Sequence, residues 1–311
     1  NSAGSDYSTI SGGKDNSIAP NALFTTSVIG GGDGNSINGG TSVIGGGTNN
    51  TATGGFNNVT IAGGNGHETN ADNATISGGE THRVKGEHGT VGGGKGNVID
   101  TDPANSPQTP ATFATIAGGE NNKITDTGQS FSIGDHGTII GGKDNVVDNQ
   151  FGIAGGKGNT ATGGIALGRD NSAGGSFIEG TQSTASIAIG VGNDASGNND
   201  IALIGKDNTG PSGTSSNAVA IGKNNEVTQS ETVAIGNDCI ARANNTVVLG
   251  TKAEASTSAE ENFGPVTNSF VYSDGRDASG SDLPDGSTNA AKTEGEARFY
   301  TSGGFFIENT D

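Results

Sequence analysis

The chain has 311 residues, of which 58 are Gly and 7 Pro; 29% are apolar and 5% aromatic, Trp and Met are absent, and the net charge is −18. Glycine at irregular spacing with so little proline excludes collagen, and the acidic balance disfavours nucleic acid and anionic membrane surfaces, which would repel it. Taken without order, this composition belongs to disordered chains, because it offers little apolar surface against chain entropy.

The order of the residues overrules the composition. A phrase returns about sixteen times, from Thr9-Ile10-Ser11-Gly12-Gly13-Lys14-Asp15-Asn16 and Val28-Ile29-Gly30-Gly31-Gly32 to Val219-Ala220-Ile221-Gly222. The commonest gaps are about 12 to 15 residues, the mark of a solenoid in which each copy is one coil. The phrases read as short strands, being β-branched runs bounded by Gly and Asn. A second apolar position follows each Asn (Ile18, Ile37, Val84, Ile99, Ile124, Val147, Ala161, Val227) and gives every coil a second strand. The Asn is expected in the turn between them, in left-handed backbone.

Residues 1–159 carry the Gly-Gly form of the phrase, with loop insertions near 20–26, 101–112 and 126–137. Insertions from a solenoid commonly form its binding face. Residues 160–255 carry the Val-Ala-Ile-Gly form, with one more insertion near 209–217. There the two large residues lie two apart and share a face. The reading places Ile165, Leu167 and Ile187 in the core, and Ala166, Ala188, Ala220 and Ala234 outward against a neighbour. The Gly-Gly half, with a glycine in place of one large residue, is expected to have the thinner core. Residues 256–267 read as a linker. Residues 268–311 read as a small β module, with strands at 268–273, 297–301 and 305–307 and a hairpin turn at Gly303-Gly304.

Ser186-Ile187-Ala188-Ile189-Gly190, Ala218-Val219-Ala220-Ile221-Gly222 and Thr232-Val233-Ala234-Ile235-Gly236 resemble the head repeats of trimeric autotransporter adhesins, the YadA-like family. The resemblance is strong over 160–255. The Gly-Gly copies of 1–159 resemble the Gly-rich repeats of bacterial surface and phage-fibre proteins. The resemblance implies an all-β, left-handed parallel β-roll solenoid of about sixteen coils, three chains side by side as a homotrimer, and an extracellular place on a cell surface, virion or filament. No coiled-coil stalk or membrane barrel of that family is recognisable, and this chain itself is not expected to insert into a membrane.

Chemistry-bearing motifs are few. Gly31-Gly32-Asp33-Gly34-Asn35 and Gly93-Gly94-Lys95-Gly96-Asn97 copy the glycine spacing of the calcium-binding nonapeptide repeat of RTX proteins, but Ser36 and Val98 stand where its Asp belongs. Calcium there, or at Asp274, Asp277, Asp282 and Asp285, is the alternative to an expectation of no cofactor. His67, His82, His88 and His136 read as surface imidazoles, with a stacked ladder or metal site as the alternative. The lone Cys239 beside Ile240 reads as a packing residue, and no intrachain disulfide can form. Asn49, Asn58, Asn73 and Asn244 open glycosylation sequons. No catalytic, cofactor-binding or metal residue is assigned, and no enzyme is expected. The partners expected are other copies of the chain, side by side or end to end, and a protein or glycan on a host, matrix or neighbouring cell. The function expected is structural and adhesive; a phage receptor-binding fibre and a self-assembling filament subunit are the alternatives.

Overall fold

The structure is a computed structural model. It describes residues 1–4, 6–20, 26–53, 57–101, 112–126, 136–148, 151–176, 184–197, 200–211, 217–255, 268–274, 289–290 and 297–300. Most of the insertions, the linker 256–267, the hairpin at Gly303-Gly304, strand 305–307, the acidic loop beyond Asp274 and the phrase at Phe177 lie outside them. The described residues form an all-β parallel solenoid without a helix. They fall into two compact units, residues 1–163 and residues 164–176 with 182–311.

In the first unit the phrase strands stack in parallel, Thr9–Ile10 on Val28–Ile29 and onward to Thr138–Lys143 on Ile153–Lys157. The strands after the Asn form a second parallel stack, from Ser2–Ala3 on Ser17–Ile18 to Val146–Asp148 on Thr160–Ala161. The core lies between the two stacks. Its side chains are Ile29, Ile44, Ile61, Ile76 and Ile116 from one sheet and Ile18, Ile37, Ile99 and Ile124 from the other, each at most 1% exposed. The second apolar positions read from the sequence are all buried. On the corner between the sheets Glu80, Lys95, Glu120 and Lys143 alternate in charge, Lys95 pairing with Glu80 at 3.1 Å and Lys143 with Glu120 at 3.0 Å, before Lys157 follows Lys143 on the next rung. Such exposed pairs stabilise little.

In the second unit the phrase strands run from Ile165–Arg169 through Ile187–Val191, Ile201–Lys206, Ala218–Lys223 and Val233–Asn237 to Val247–Thr251, again in parallel register. Phe270–Asp274 and Ala297–Tyr300 add two further parallel rungs to this sheet, and Asn289–Ala290 adds one to the other.

The two faces of the Val-Ala-Ile strands are the reverse of the sequence expectation. Ala166, Ala188, Ala220 and Ala234 are fully buried, whereas Ile189, Ile221 and Ile235 are 36–39% exposed. Ile165 and Ile187 are half-buried on the same outer face. The period of two fixes which residues share a face; it does not say which face is inside. The pairing of Thr138–Lys143 with Ile153–Lys157 shows the exchange directly: Thr138 is level with Ile153, and Ile139 with Ala154. The first large residue of the phrase is therefore internal up to Ile139 and external at Ile153, Ile165, Ile187, Val219, Val233 and Val247; the irregular copy Ile201-Ala202-Leu203 keeps Ile201 and Leu203 inside and sets Ala202 outward. The Gly-Gly half consequently carries the larger core side chains, and the second unit, with Ala220 and Val227 or Ala234 and Ala241 in one coil, has the thinner core.

The Asn of the phrase also differs from its expected role. Left-handed backbone belongs to the residue before it: Asp15 at φ 53, Asn49 at 53, Asn121 at 54 and Asp144 at 56. The Asn itself turns inward and is buried, as at Asn35, Asn50, Asn122, Asn145, Asn193 and Asn208.

Candidate functional site: an apolar outer face and an aromatic ladder

Three features stand out by position: a polar ladder inside each unit, an apolar face on the outside of the second, and a row of aromatic rings on one corner of the first.

The internal ladder is made by the phrase Asn. Asn35 donates both its backbone N–H and its side-chain amide to Asn16 Oδ1 at 3.1 Å, and its Nδ2 also reaches the carbonyls of Gly31 (3.0 Å) and Gly47 (2.9 Å). Its own Oδ1 accepts the same pair of donors from Asn50 at 3.1 Å. Repeating the arrangement satisfies every amide, which makes a polar group tolerable in so thin a core. Asn193, Asn208 and Asn225 repeat it in the second unit.

His67 and His82 occupy two successive rungs of the first unit's ladder. They are not surface imidazoles: each is 1% exposed, and the rings stack at 4.9 Å with 3° between planes. His82 N–H donates to His67 Nδ1 and Asn97 N–H donates to His82 Nδ1, both at 3.1 Å. Nδ1 is therefore the acceptor, and the proton of each neutral ring sits on Nε2. Nε2 takes the place of the Asn Nδ2 but makes no hydrogen bond. The backbone of Gly63 and Gly79 favours the protonated form of His67, and that of Gly78 and Gly94 the protonated form of His82, against the larger effect of burial. Burial, and then the charge of His82, lowers the His67 pKa to about 4; burial lowers that of His82. Cys239 takes an Asn place in the second unit: it is fully buried, its N–H donates to Asn225 Oδ1 at 3.0 Å, and its Sγ lies 3.2 Å from the Gly250 carbonyl. Burial raises its thiol pKa, which disfavours the nucleophilic thiolate. Among the described residues no three His, Cys, Asp or Glu side chains converge as metal ligands, and Asp33 lies in the corner bridge between Lys14 and Thr48.

The outer face of the second unit carries two parallel rows. Ile165, Ile187, Val219, Val233 and Val247 form one, and Leu167, Ile189, Ile204, Ile221, Ile235, Leu249 and Tyr272 form the other, aligned rung by rung. Ile189, Ile204, Ile221, Ile235 and Tyr272 are 36–40% exposed. Ala202 stands in the first row where the other rungs have a larger side chain. It opens a shallow notch of about 340 Å³ between Ile187 and Val219, with Asp200 at its margin. Single exposed apolar residues need no explanation, whereas this double row forms a continuous apolar patch.

The corner that leads into the phrase strand holds Asn in several coils, at Asn58, Asn73, Asn217, Asn245 and Asn268, each with φ between 56 and 63. In three coils of the first unit it holds His88 (φ 58), Phe113 (φ 53) and Phe151 (φ 57) instead. His136 stands in the same phase, two residues before Thr138. The four rings stack in sequence, His88 on Phe113 at 4.4 Å, Phe113 on His136 at 5.3 Å and His136 on Phe151 at 5.2 Å, all within 12° of parallel. Phe113 and Phe151 are each 50% exposed, and both imidazoles are exposed. The ladder extends as amides, with Asn58 Nδ2 donating to Asn73 Oδ1 and Asn73 Nδ2 lying 3.3 Å from His88 Nε2.

Of the four sequence-read histidines, the structure places two inside and two in this outer ladder. Sequence reading missed the ladder although its signal is present: His88-Gly89-Thr90, Phe113-Ala114-Thr115, His136-Gly137-Thr138 and Phe151-Gly152-Ile153 share one phase of the repeat. No protein-family model and no curated protein matches this chain.

Proposed function

We propose that the chain is a fibrous structural and adhesive protein whose second unit packs side by side with two further copies, and that it works outside the cell as a surface-attachment rod. The observation that carries this reading is the double apolar row. Ile189, Ile204, Ile221 and Ile235 project from a parallel sheet at successive rungs. Closing such a face against another copy recovers on the order of 1 kcal/mol for each large side chain covered. A regular repeat on one side of a parallel sheet suits an identical repeat on a neighbour better than it suits a globular partner. The notch at Ala202 fits this arrangement as a socket for one apolar side chain of the adjoining copy.

The adhesive part of the reading rests on the first unit, whose exposed aromatic ladder is not needed to build its coils. Many weak contacts on several copies then act together without a deep pocket. The assembly is tested with Ile221→Asp combined with Ile235→Asp. Both side chains face outward, so the double variant is expected to keep the β-rich circular dichroism spectrum and elute from size exclusion as a smaller species. A variant that elutes with the wild-type volume would remove the face from the interface.

A further inference from the structure

The aromatic ladder runs against local backbone preference. Its corner needs left-handed backbone, where Asn is well tolerated and a bulky side chain is not. That conformation costs an L-residue roughly as much as the stacking of one ring pair returns. Asn fills the same corner at Asn58, Asn73, Asn217, Asn245 and Asn268, so the fold does not require a ring there. Phe113 and Phe151 nonetheless place half of their surface in solvent. Strained residues of this kind cluster at sites of function.

The ladder has a definite chemical pattern. Asn58, Asn73, His88, Phe113, His136 and Phe151 form one line along the coils, in the order amide, amide, imidazole, phenyl, imidazole, phenyl. Asn58, Asn73 and His88 present three hydrogen-bonding edges in succession, and from His88 to Phe151 hydrogen-bonding and apolar edges alternate, at about the 4.8 Å spacing of adjacent strands. Among the described residues each coil contributes one side chain to the line. A protein partner of standard interface size needs about 800 Å² on each side, which so narrow a line does not supply. The residues preceding two of its members are acidic, Asp72 and Glu87, and their backbone carbonyls accept the N–H of His88 and Phe113. With a net charge of −18 on the chain, an anionic polymer is repelled.

A linear, uncharged polymer that offers C–H surface and hydroxyl groups in short alternation meets all of these conditions. We infer that Asn58, Asn73, His88, Phe113, His136 and Phe151 form a linear binding strip for an extended neutral polysaccharide. The amides and imidazoles hydrogen-bond hydroxyl groups, and the phenyl edges cover the sugar C–H surface, the mixture of apolar lining and a few polar groups that small-ligand sites use. This inference deepens the adhesive half of the proposed function and does not depend on the side-by-side assembly, because every residue of the strip lies in one chain.

The test is affinity electrophoresis of the purified full chain in native gels containing mixed-linkage β-glucan, galactomannan or dextran, with co-sedimentation on cellulose and chitin, and alginate as the anionic control. The wild type is expected to be retarded or pelleted by at least one neutral polysaccharide and not retarded by alginate. Phe113→Asn with Phe151→Asn is the decisive variant. Asn holds this corner at Asn58, Asn73, Asn217, Asn245 and Asn268, with Glu231 in one further coil, so the fold is expected to be retained, and a matching thermal melt verifies it. Affinity is expected to fall at least tenfold. Wild-type protein that binds none of the neutral polysaccharides, or a folded double variant that binds as well as wild type, overturns the strip. Sedimentation velocity on the same samples separates the two proposals: lost binding with unchanged oligomer size concerns the strip alone, and a monomeric wild type that still binds concerns the assembly alone.

Discussion

At the scale of single residues, this solenoid is organised by what lies beside its apolar core. Asn208 shows why. Its side chain donates to Asn193 Oδ1 (2.8 Å), the Gly222 carbonyl (3.1 Å) and the Ile204 carbonyl (3.2 Å), and accepts two bonds from Asn225 at 3.0 Å. Asn208→Leu is close in size but strands several buried polar groups, each costing about 1–3 kcal/mol. A loss of at least 3 kcal/mol in denaturant unfolding is expected, and a loss under 1 kcal/mol would show that the ladder is not structural. His67 adds a pH dependence. Its pKa falls from the ordinary 6.5 to about 4, so between those values the unfolded chain binds more protons than the folded one. Its contribution is complete above about pH 6.5 and is lost as pH falls towards 4, by up to about 3 kcal/mol. Protonation at Nδ1 would also set a donor against the His82 N–H. His67→Asn restores the repeated rung, and its stability is expected to fall less than that of wild type between pH 7 and pH 4. Parallel curves for the two proteins would remove His67 as the cause.

At the scale of the strand and coil, the sequence makes some things legible and hides others for identifiable reasons. The strands, their order and the second apolar position at Ile18 or Val84 follow from periodicity, because burial recurs at fixed phase. The direction of Ala220 and Ile221 does not follow, since alternation is symmetric between inside and outside. It is set by how much room the opposite strand and the Asn ladder leave, which is a property of the whole coil. The constant phase of the Asn, after a variable Asp, Gly or Asn, was visible in the sequence, but its inward direction was not. The variable residue is the exposed left-handed one, and the constant residue is the internal one. The rings at His88, Phe113, His136 and Phe151 escaped because long insertions separate them in sequence and only stacking restores their line. The strand assignment has its own test. Ala220→Ile is expected to overpack the thin core and cost about 1–3 kcal/mol, while Ile221→Thr, on the outer face, leaves the stability of the separated chain nearly unchanged. The reverse order in thermal melts would restore the opposite facing. Gly222 at φ 126 admits no such change, because a Cβ there would run into the Gly236 carbonyl oxygen of the next rung.

At the scale of the molecule, each unit pairs its internal Asn amides within itself, with Nε2 of His67 and His82 as buried exceptions, and its recurring features lie on the outside. The first unit presents a narrow line of amides and rings, and the second a sheet face of Ile, Val and Leu. Among the described residues no helix is long and apolar enough to cross a membrane. The same repetition that makes a thin core sufficient also makes any outward residue recur at every rung, so a side chain of modest exposure becomes a continuous surface. The proposed assembly is the consequence of that recurrence for the apolar rows, and the proposed polysaccharide strip is its consequence for the rings. The most direct measurement of the first is sedimentation equilibrium of the native chain at micromolar concentration. The account predicts a species of three times the 30.5 kDa chain mass; a single species at the mass of one chain, with the apolar face of the second unit open to water, would contradict it.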